Sequence, residues 1–309
     1  NGSINRIELN RIKESQEKAI VKLTKRFVDQ MEEMELYSVE LTLGGIQAIS
    51  GVKYKKLTQL DLKSVNLGDE GALAFGACMR ETKSLQLVRI HDCNISDEGL
   101  QAILGNACLL RELELGTLGQ FHVGAAAACC KLLHQTEHMK KISLIGQEPS
   151  LDACITGMGV ALQKNSSLEI LTLRNLNLQT KDTFELAGGI KVNSNLKELN
   201  LSETTLGHIG IKEMGRALRK NMGIKKLVIF GDFLNHVGLS SISRACKFNT
   251  SLRDFTITCN GMTGQAFDAL QHSILFNISL DELEIVEYGE QEYEIDDHLL
   301  GNYKRRRMV

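Results

Sequence analysis

The pattern Leu-x-x-Leu-x-Leu returns along this chain at a fixed interval, and that recurrence constrains the fold more than any other property of the sequence. It stands at Leu57, Leu60, Leu62; at Leu168, Leu171, Leu173; at Leu196, Leu199, Leu201; and at Ile224, Leu227, Ile229. Apolar substitutes complete it at Leu85, Val88, Ile90; Leu110, Leu113, Leu115; Met139, Ile142, Leu144; Leu252, Phe255, Ile257; and Leu280, Leu283, Ile285. Two further units are expected upstream, at Ile4, Ile7, Leu9 and at Leu36, Val39, Leu41. Eleven units result, separated by 32, 21, 28, 25, 29, 29, 28, 28, 28 and 28 residues. Four successive intervals of 28 are not coincidence.

Each unit holds one strand and one helix. The fourth and sixth positions alternate with period two, so both side chains face one side of a short strand. Behind a turn the period lengthens. Gly210, Ile211, Met214, Ala217 and Leu218 follow the spacing of an amphipathic helix. Gly238, Leu239, Ile242, Ala245 and Cys246 repeat it one unit on, and Gly71, Ala72, Phe75, Cys78 and Met79 show it earlier. A strand and a helix that each hide one face cannot stand alone, but stacked copies share one core. The small residue opening each helix is expected to let it pack close to the strand layer.

A second ladder confirms the phase. Asn165, Asn193, Asn221, Asn249 and Asn277 stand 28 residues apart, each three residues before a unit begins. Asparagine suits a left-handed turn ending a helix and bonds to local backbone. The acceptor sequons at Asn165, Asn249 and Asn277 belong to this ladder, which argues for structure over glycosylation.

The unit from Leu85 to Gly99 (Leu85-Gln-Leu-Val88-Arg-Ile90-His-Asp-Cys93-Asn-Ile95-Ser-Asp-Glu-Gly99) resembles the ribonuclease-inhibitor-like leucine-rich-repeat family, and the chain is similar to that family from residue 4 to about 288. Cys93 takes the family's buried Cys/Asn position, as Asn260 does in another unit, whereas Val65, Leu118, Leu176 and Asp232 depart from it and weaken the polar ladder expected at that bend. The resemblance implies an α/β solenoid, a horseshoe of about 11 repeats with parallel strands on the concave face and helices on the convex face.

With that fold, residues 1–297 are expected to form a single solenoid domain. Residues 1–35 would be an N-terminal capping unit, containing a long helix over 13–34 that carries Ile20, Leu23, Phe27, Met31 and Met34 on one stripe. Residues 280–297 would be an acidic cap: Asp281 to Asp297 holds nine acidic residues and no basic one. A basic tail, 298–309, contains Lys304-Arg-Arg-Arg307, which reads as a nuclear address in an otherwise cytoplasmic protein. The first residue is Asn1 rather than methionine, which fits the repeat domain of a larger protein. The segment Gln147-Glu-Pro-Ser150 breaks the register and is expected to protrude.

Charge and composition narrow the partners. A formal net charge of −2 argues against general nucleic-acid binding, which needs a basic surface. No apolar run approaches the ~20 residues of a membrane span. The eight cysteines include no CxxC pair, and most fall where a small buried hydrophobe would sit, so they read as reduced core thiols. Another protein is the expected partner, and no cofactor or metal is expected.

Three constellations bear on chemistry. His134-Gln-Thr-Glu137-His138 matches the inverted zinc-protease pattern but sits at the last helical turn before a strand and lacks a third ligand. His208 and His236 occupy one place in adjacent repeats and read as exposed turn residues. Gly157-Met-Gly159 lacks the third glycine of a dinucleotide fingerprint, and no phosphate loop or nucleophile elbow occurs.

The face left for function is the concave one. Its first column reads Glu8, Glu40, Asp61, Arg89, Glu114, Ser143, Thr172, Asn200, Val228, Thr256, Glu284. The second reads Asn10, Thr42, Lys63, His91, Gly116, Ile145, Arg174, Ser202, Phe230, Thr258, Val286. The protein-binding candidates are Arg89, His91, Asp92 and Arg174, with Phe230 as the apolar anchor and the only aromatic in either column. The expected function is a non-enzymatic protein–protein interaction scaffold or ligand-sensing module. A GTPase regulator of the Ran GTPase-activating type and a structural component of a cytoskeletal or ciliary assembly are the alternatives that share this fold.

Overall fold

The alternation of one buried and one outward residue over five or so positions makes a strand only where a neighbour of the same phase lies alongside. The computed structural model, which describes residues 4–119, 121–147, 151–232, 236–260 and 264–287, supplies that neighbour for every unit. An open parallel sheet runs β1 (Arg6–Asn10), β2 (Glu33–Tyr37), β3 (Gln59–Lys63), β4 (Leu87–His91), β5 (Glu112–Leu118), β6 (Lys141–Gly146). It continues, past a separate short parallel pair β7 (Leu151–Ala153) and β9 (Leu176–Leu178), through β8 (Ile170–Arg174) and β10 (Glu198–Leu201). The last strands are β11 (Lys226–Asp232), β12 (Asp254–Asn260) and β13 (Glu282–Glu287). The main sheet therefore has eleven strands among the described residues, in chain order.

Helices return each strand to the start of the next: α1 (Glu17–Phe27), α2 (Leu43–Ser50), α3 (Gly68–Glu81), α4 (Asp97–Gly105) and α5 (Val123–Gln135). After them come α6 (Met158–Lys164), α7 (Thr180–Val192), α8 (Gly207–Leu218), α9 (His236–Phe248) and α10 (Gly264–Leu275). The core lies between the two layers. Leu60, Val88, Leu113, Ile142, Leu171, Leu199, Leu227 and Phe255 stand in one register row, all buried.

The N-terminal units differ from expectation. Ile7 pairs with Met34 and Leu9 with Leu36, so the second unit is Met31, Met34, Leu36 and not Leu36, Val39, Leu41. Methionine packs as a leucine here, buried like one. The first intervals become 27 and 26 in place of 32 and 21. The long helix expected over 13–34 is correspondingly short: a 3-10 turn at Glu14–Gln16 leads into α1, and Met34 belongs to β2. Glu40 and Thr42 leave the concave face. Thr42 caps α2 instead, its Oγ1 accepting from the Gly45 amide at 3.1 Å.

Seven of the strands end in the same bend. Arg11, Ser38, Ser64, Asp92, Thr117, Asn175 and Glu203 take left-handed backbone with φ from 53° to 59°, a conformation costing about 1 kcal/mol in a non-glycine residue. The bend aims the amides of Arg11, Ser38, Ser64, Asp92 and Asn175 at the carbonyls of Tyr37, Lys63, His91, Gly116 and Ser202. The ladder thus continues past the strands and offsets the strain. Just beyond, Cys93 donates to the Leu62 carbonyl, and Thr204 donates to the equivalent Leu173 carbonyl at 2.7 Å. Threonine therefore fills a position that the sequence pattern reserves for Cys or Asn.

At the other end of the strands the asparagines are buried, as their spacing requires. Asn193 Nδ2 donates to the Leu162 and Asn165 carbonyls at 2.7 and 3.0 Å, while its Oδ1 accepts from the Asn195 and Leu196 amides at 2.9 and 2.8 Å. Asn221 and Asn249 repeat this set one and two units on. Asn165 and Asn193 are extended, with φ of −71° and −70°, not left-handed as their residue type suggests. Asn165, Asn249 and Asn277 have their Nδ2 atoms buried and engaged, so the folded chain offers no acceptor at these sequons.

The helix-opening glycines serve a different neighbour from the strand layer. A Cβ on Gly99 would lie 2.5 Å from Asp69 Oδ1, and one on Gly210 2.5 Å from Thr183 Cγ2. Asp69 and Thr183 are on α3 and α7, so the glycine sets the approach of successive helices.

Candidate interaction surface

Side chains between and beyond the buried strand positions form the concave face, and the corrected register brings Glu35 and Tyr37 into it. The phenol of Tyr37 donates to Glu35 Oε2 at 2.9 Å, and burial beside that carboxylate pushes it up to about 12. Arg6 reaches Glu8, Glu33 and Glu35 at 3.2, 3.6 and 3.0 Å. Two strands on, Arg89 Nη1 meets Asp61 Oδ2 at 3.1 Å, which Gln59 also approaches at 3.0 Å. Asp61 Oδ1 is buried with no hydrogen-bond partner among the described residues.

His91 Nε2 lies 2.9 Å from Glu114 Oε1, and Lys141 Nζ lies 3.8 Å from the other oxygen. The hydrogen bond to His91, aided by the charges of Lys141 and Arg89, holds the Glu114 carboxyl below its ordinary value. Gly116 makes room for this arrangement: a Cβ there would sit 2.0 Å from His91 Nδ1. The pairs are unequal in depth. Arg89 is 38% exposed over an Asp61 that is 8% exposed, and Arg6 is 52% exposed over a Glu35 that is 7% exposed.

A family model described as Leucine Rich repeat matches residues 55–76, 83–104 and 192–215, the segments that hold β3, β4 and β10 with the helices that follow them. The fold is a leucine-rich-repeat solenoid, and the family model covers three of its units. Among its described residues no helix is long and apolar enough to cross a membrane.

The repeat geometry separates the residues singled out from the sequence. Arg89 and His91 are neighbours on β4, and Asp92 follows at the left-handed bend, exposed, accepting from Ser64 Oγ at 2.9 Å. Arg174 stands three strands away on β8, about 14 Å at the usual strand spacing. It forks onto Glu203 through two bonds of 3.0 Å. Phe230 is on β11, two strands further, and its side chain lies outside the described residues. These five form no single patch. Phe230 is also not the only aromatic of the columns, since Tyr37 joins them; its signal was hidden because Met31 and Met34 stand in for leucines.

The remaining constellations disperse. Helix α5 ends at Gln135, so Glu137 and His138 fall beyond it and the helical face that the zinc pattern needs is not formed. His134 is exposed and faces the Cys130 carbonyl at 2.8 Å. His208 is exposed on α8, and the His236 side chain lies outside the described residues. Cys78, Cys93, Cys129 and Cys246 are buried, and burial raises their thiols, Cys93 to about 11 and Cys129 and Cys246 to about 12. Cys108 departs from the core reading: it is exposed. Residues 148–150, the expected protruding loop, and everything from 288 on lie outside the described residues.

Proposed function

We propose that this leucine-rich-repeat protein is a non-catalytic protein-interaction module of the ribonuclease-inhibitor-like kind, receiving its partner on the concave face of β1 to β6. The observation that carries the reading is the unequal depth of the ion pairs. Buried carboxylates of Glu35 and Asp61 hold the half-buried Tyr37 phenol and the outward guanidiniums of Arg6 and Arg89 from beneath. A guanidinium has five N–H donors, and Asp61 takes one of Arg89's, so the rest face outward already oriented. Donors fixed before binding lose little freedom when a partner arrives, which is how preorganisation raises affinity. Leucine-rich repeats commonly serve as protein-interaction modules, and the side chains offered here suit a partner rich in carboxylates and carbonyls. Asp92 and His91 extend this surface, while Arg174 and Phe230 would serve a partner long enough to follow the arc.

Affinity capture combined with crosslinking mass spectrometry tests the reading. Crosslinks are expected at Lys63 and Lys141, and Arg89→Glu should abolish capture of the same partner. Crosslinks confined to the helices, or capture indifferent to Arg89→Glu, would overturn it.

A further inference from the structure

The buried asparagine ladder has a consequence on the outside of the molecule. Because each Asn is pinned inward, the residues immediately before and after it must point away from the core. In the last units these neighbours are large and apolar: Val192 before Asn193, Met222 after Asn221, Phe248 before Asn249, and Phe276 and Ile278 on either side of Asn277. All are exposed, Phe248 at 53%, Phe276 at 52% and Ile278 at 83%. Equivalent positions of stacked units line up, so the row before the asparagines reads Val192, Lys220, Phe248, Phe276 and the row after them Ser194, Met222, Thr250, Ile278, two adjacent rows of one ridge along the edge where helices turn into strands.

Cations accompany the ridge with the same period. Arg219 lies over the Phe248 ring at 5.0 Å, and Lys247, 28 residues on, lies over the Phe276 ring at 4.4 Å. Lys220 and Lys225 are exposed on the same edge. Among the described residues no carboxylate pairs with Arg219, Lys220 or Lys247, in contrast to the concave face, where each cation of β1 and β4 has one. A contiguous exposed apolar patch rimmed by charge marks an interaction site.

We propose that this edge docks an acidic segment of a partner protein that carries aliphatic or aromatic residues between its carboxylates. The carboxylates meet Arg219, Lys220 and Lys247, and the apolar side chains lie against Phe248, Phe276, Met222 and Ile278. The linear arrangement suits a peptide segment. The aliphatic members of the ridge favour apolar side chains over nucleobases, which would need ring faces alone. This surface lies apart from the concave face, so either site can exist without the other.

The probe is a fluorescein-labelled twelve-residue peptide in which glutamate alternates with leucine and phenylalanine, titrated with the full chain in fluorescence anisotropy. Saturable binding that weakens with salt is expected, with a loss of about tenfold for Lys247→Glu and for the double variant Phe248→Ser/Phe276→Ser. Both variants alter exposed positions, and unchanged thermal melts would confirm that they fold. Arg89→Glu should leave this binding intact. The proposal fails if the peptide does not bind, or if a lysine-for-glutamate version binds equally. It also fails if phosphatidylserine vesicles or oligothymidylate bind in preference, or if the ridge proves to be a dimer contact, with sedimentation showing self-association that the phenylalanine variants abolish.

Discussion

The two halves of this solenoid solve one problem, holding each unit to the next, with different chemistry. In the C-terminal half a buried amide does it. Asn193, Asn221, Asn249 and Asn277 each reach carbonyls 31 and 28 residues back, and the units there are all 28 long. Asn165, at the junction, follows a 29-residue unit; it finds the Leu133 carbonyl 32 residues back and turns its second donor to its own Ser167. Before it the position holds Val28, Tyr54, Thr82, Ala107 and Thr136. Thr136 still accepts from the His138 and Met139 amides, and Tyr54 caps the Ile49 carbonyl at 2.9 Å, but Ala107 has no side chain to offer. In that half cross-strand ion pairs on the concave face tie the units: Arg6 to Glu35, Arg89 to Asp61, His91 to Glu114. Unit length and the buried ladder go together, because an amide that must meet two fixed carbonyls tolerates no change of length.

The largest test of this contrast is Asn221→Ala. It strips partners from the Ile190 and Asn193 carbonyls and from the Gly223 and Ile224 amides, all in the buried turn. At about 1–3 kcal/mol for each buried orphan, a loss of roughly 4 kcal/mol or more in denaturant unfolding is expected. Thr136→Ala removes a weaker set and should cost about 2 kcal/mol. Equal losses at the two positions would erase the distinction between the halves.

Much of this was legible in the sequence, for a physical reason: stacked units copy one environment, so a spatial row becomes a sequence period. The buried rows and the asparagine ladder are read directly from spacings of 28. What escaped lacks a period. Met31 and Met34 bury as leucines do but break the letter pattern, and the slip carried Tyr37 and Glu35 off the concave face. The strand pair β7 and β9, three residues each, is too short to alternate visibly. Thr204 serves where a Cys or Asn was sought. Ion pairing was illegible for another reason. Arg89 and Asp61 are 28 residues apart, and whether a charge is satisfied depends on a neighbour strand's register.

A middle-sized effect separates the arginines. Arg89→Ala leaves Asp61 buried with one oxygen unpartnered among the described residues and the other held by Gln59 alone, so about 2 kcal/mol should be lost. Arg174 and Glu203 are 47% and 46% exposed, and water replaces such a pair readily. Arg174→Ala should therefore cost under about 0.5 kcal/mol. Comparable destabilisation would mean that the concave pairs do not tie the N-terminal units together.

The smallest effect is one of pH, and it falls on one half only. Glu114 is held below its ordinary value of 4.5, first by the hydrogen bond to His91 and then by the charges of His91, Lys141 and Arg89. A carboxyl with a depressed value in the folded state binds its proton more readily when unfolded. Its contribution, on the order of 1 kcal/mol or less, is complete above the unfolded value and is lost as pH falls from there through the folded one. Amide protection, measured against the intrinsic exchange rate at each pH, should therefore fall below pH 4.5 in β4 to β6 before it does in β10 to β12, where the buried amide ladder does not titrate. His91→Leu removes the chief cause, so Glu114 should titrate nearer its ordinary value and the early opening of β4 to β6 should fade. Uniform loss of protection along the arc, or a Glu114 titration that His91→Leu leaves unmoved, would show that the charged face adds nothing local to the stability of the N-terminal half.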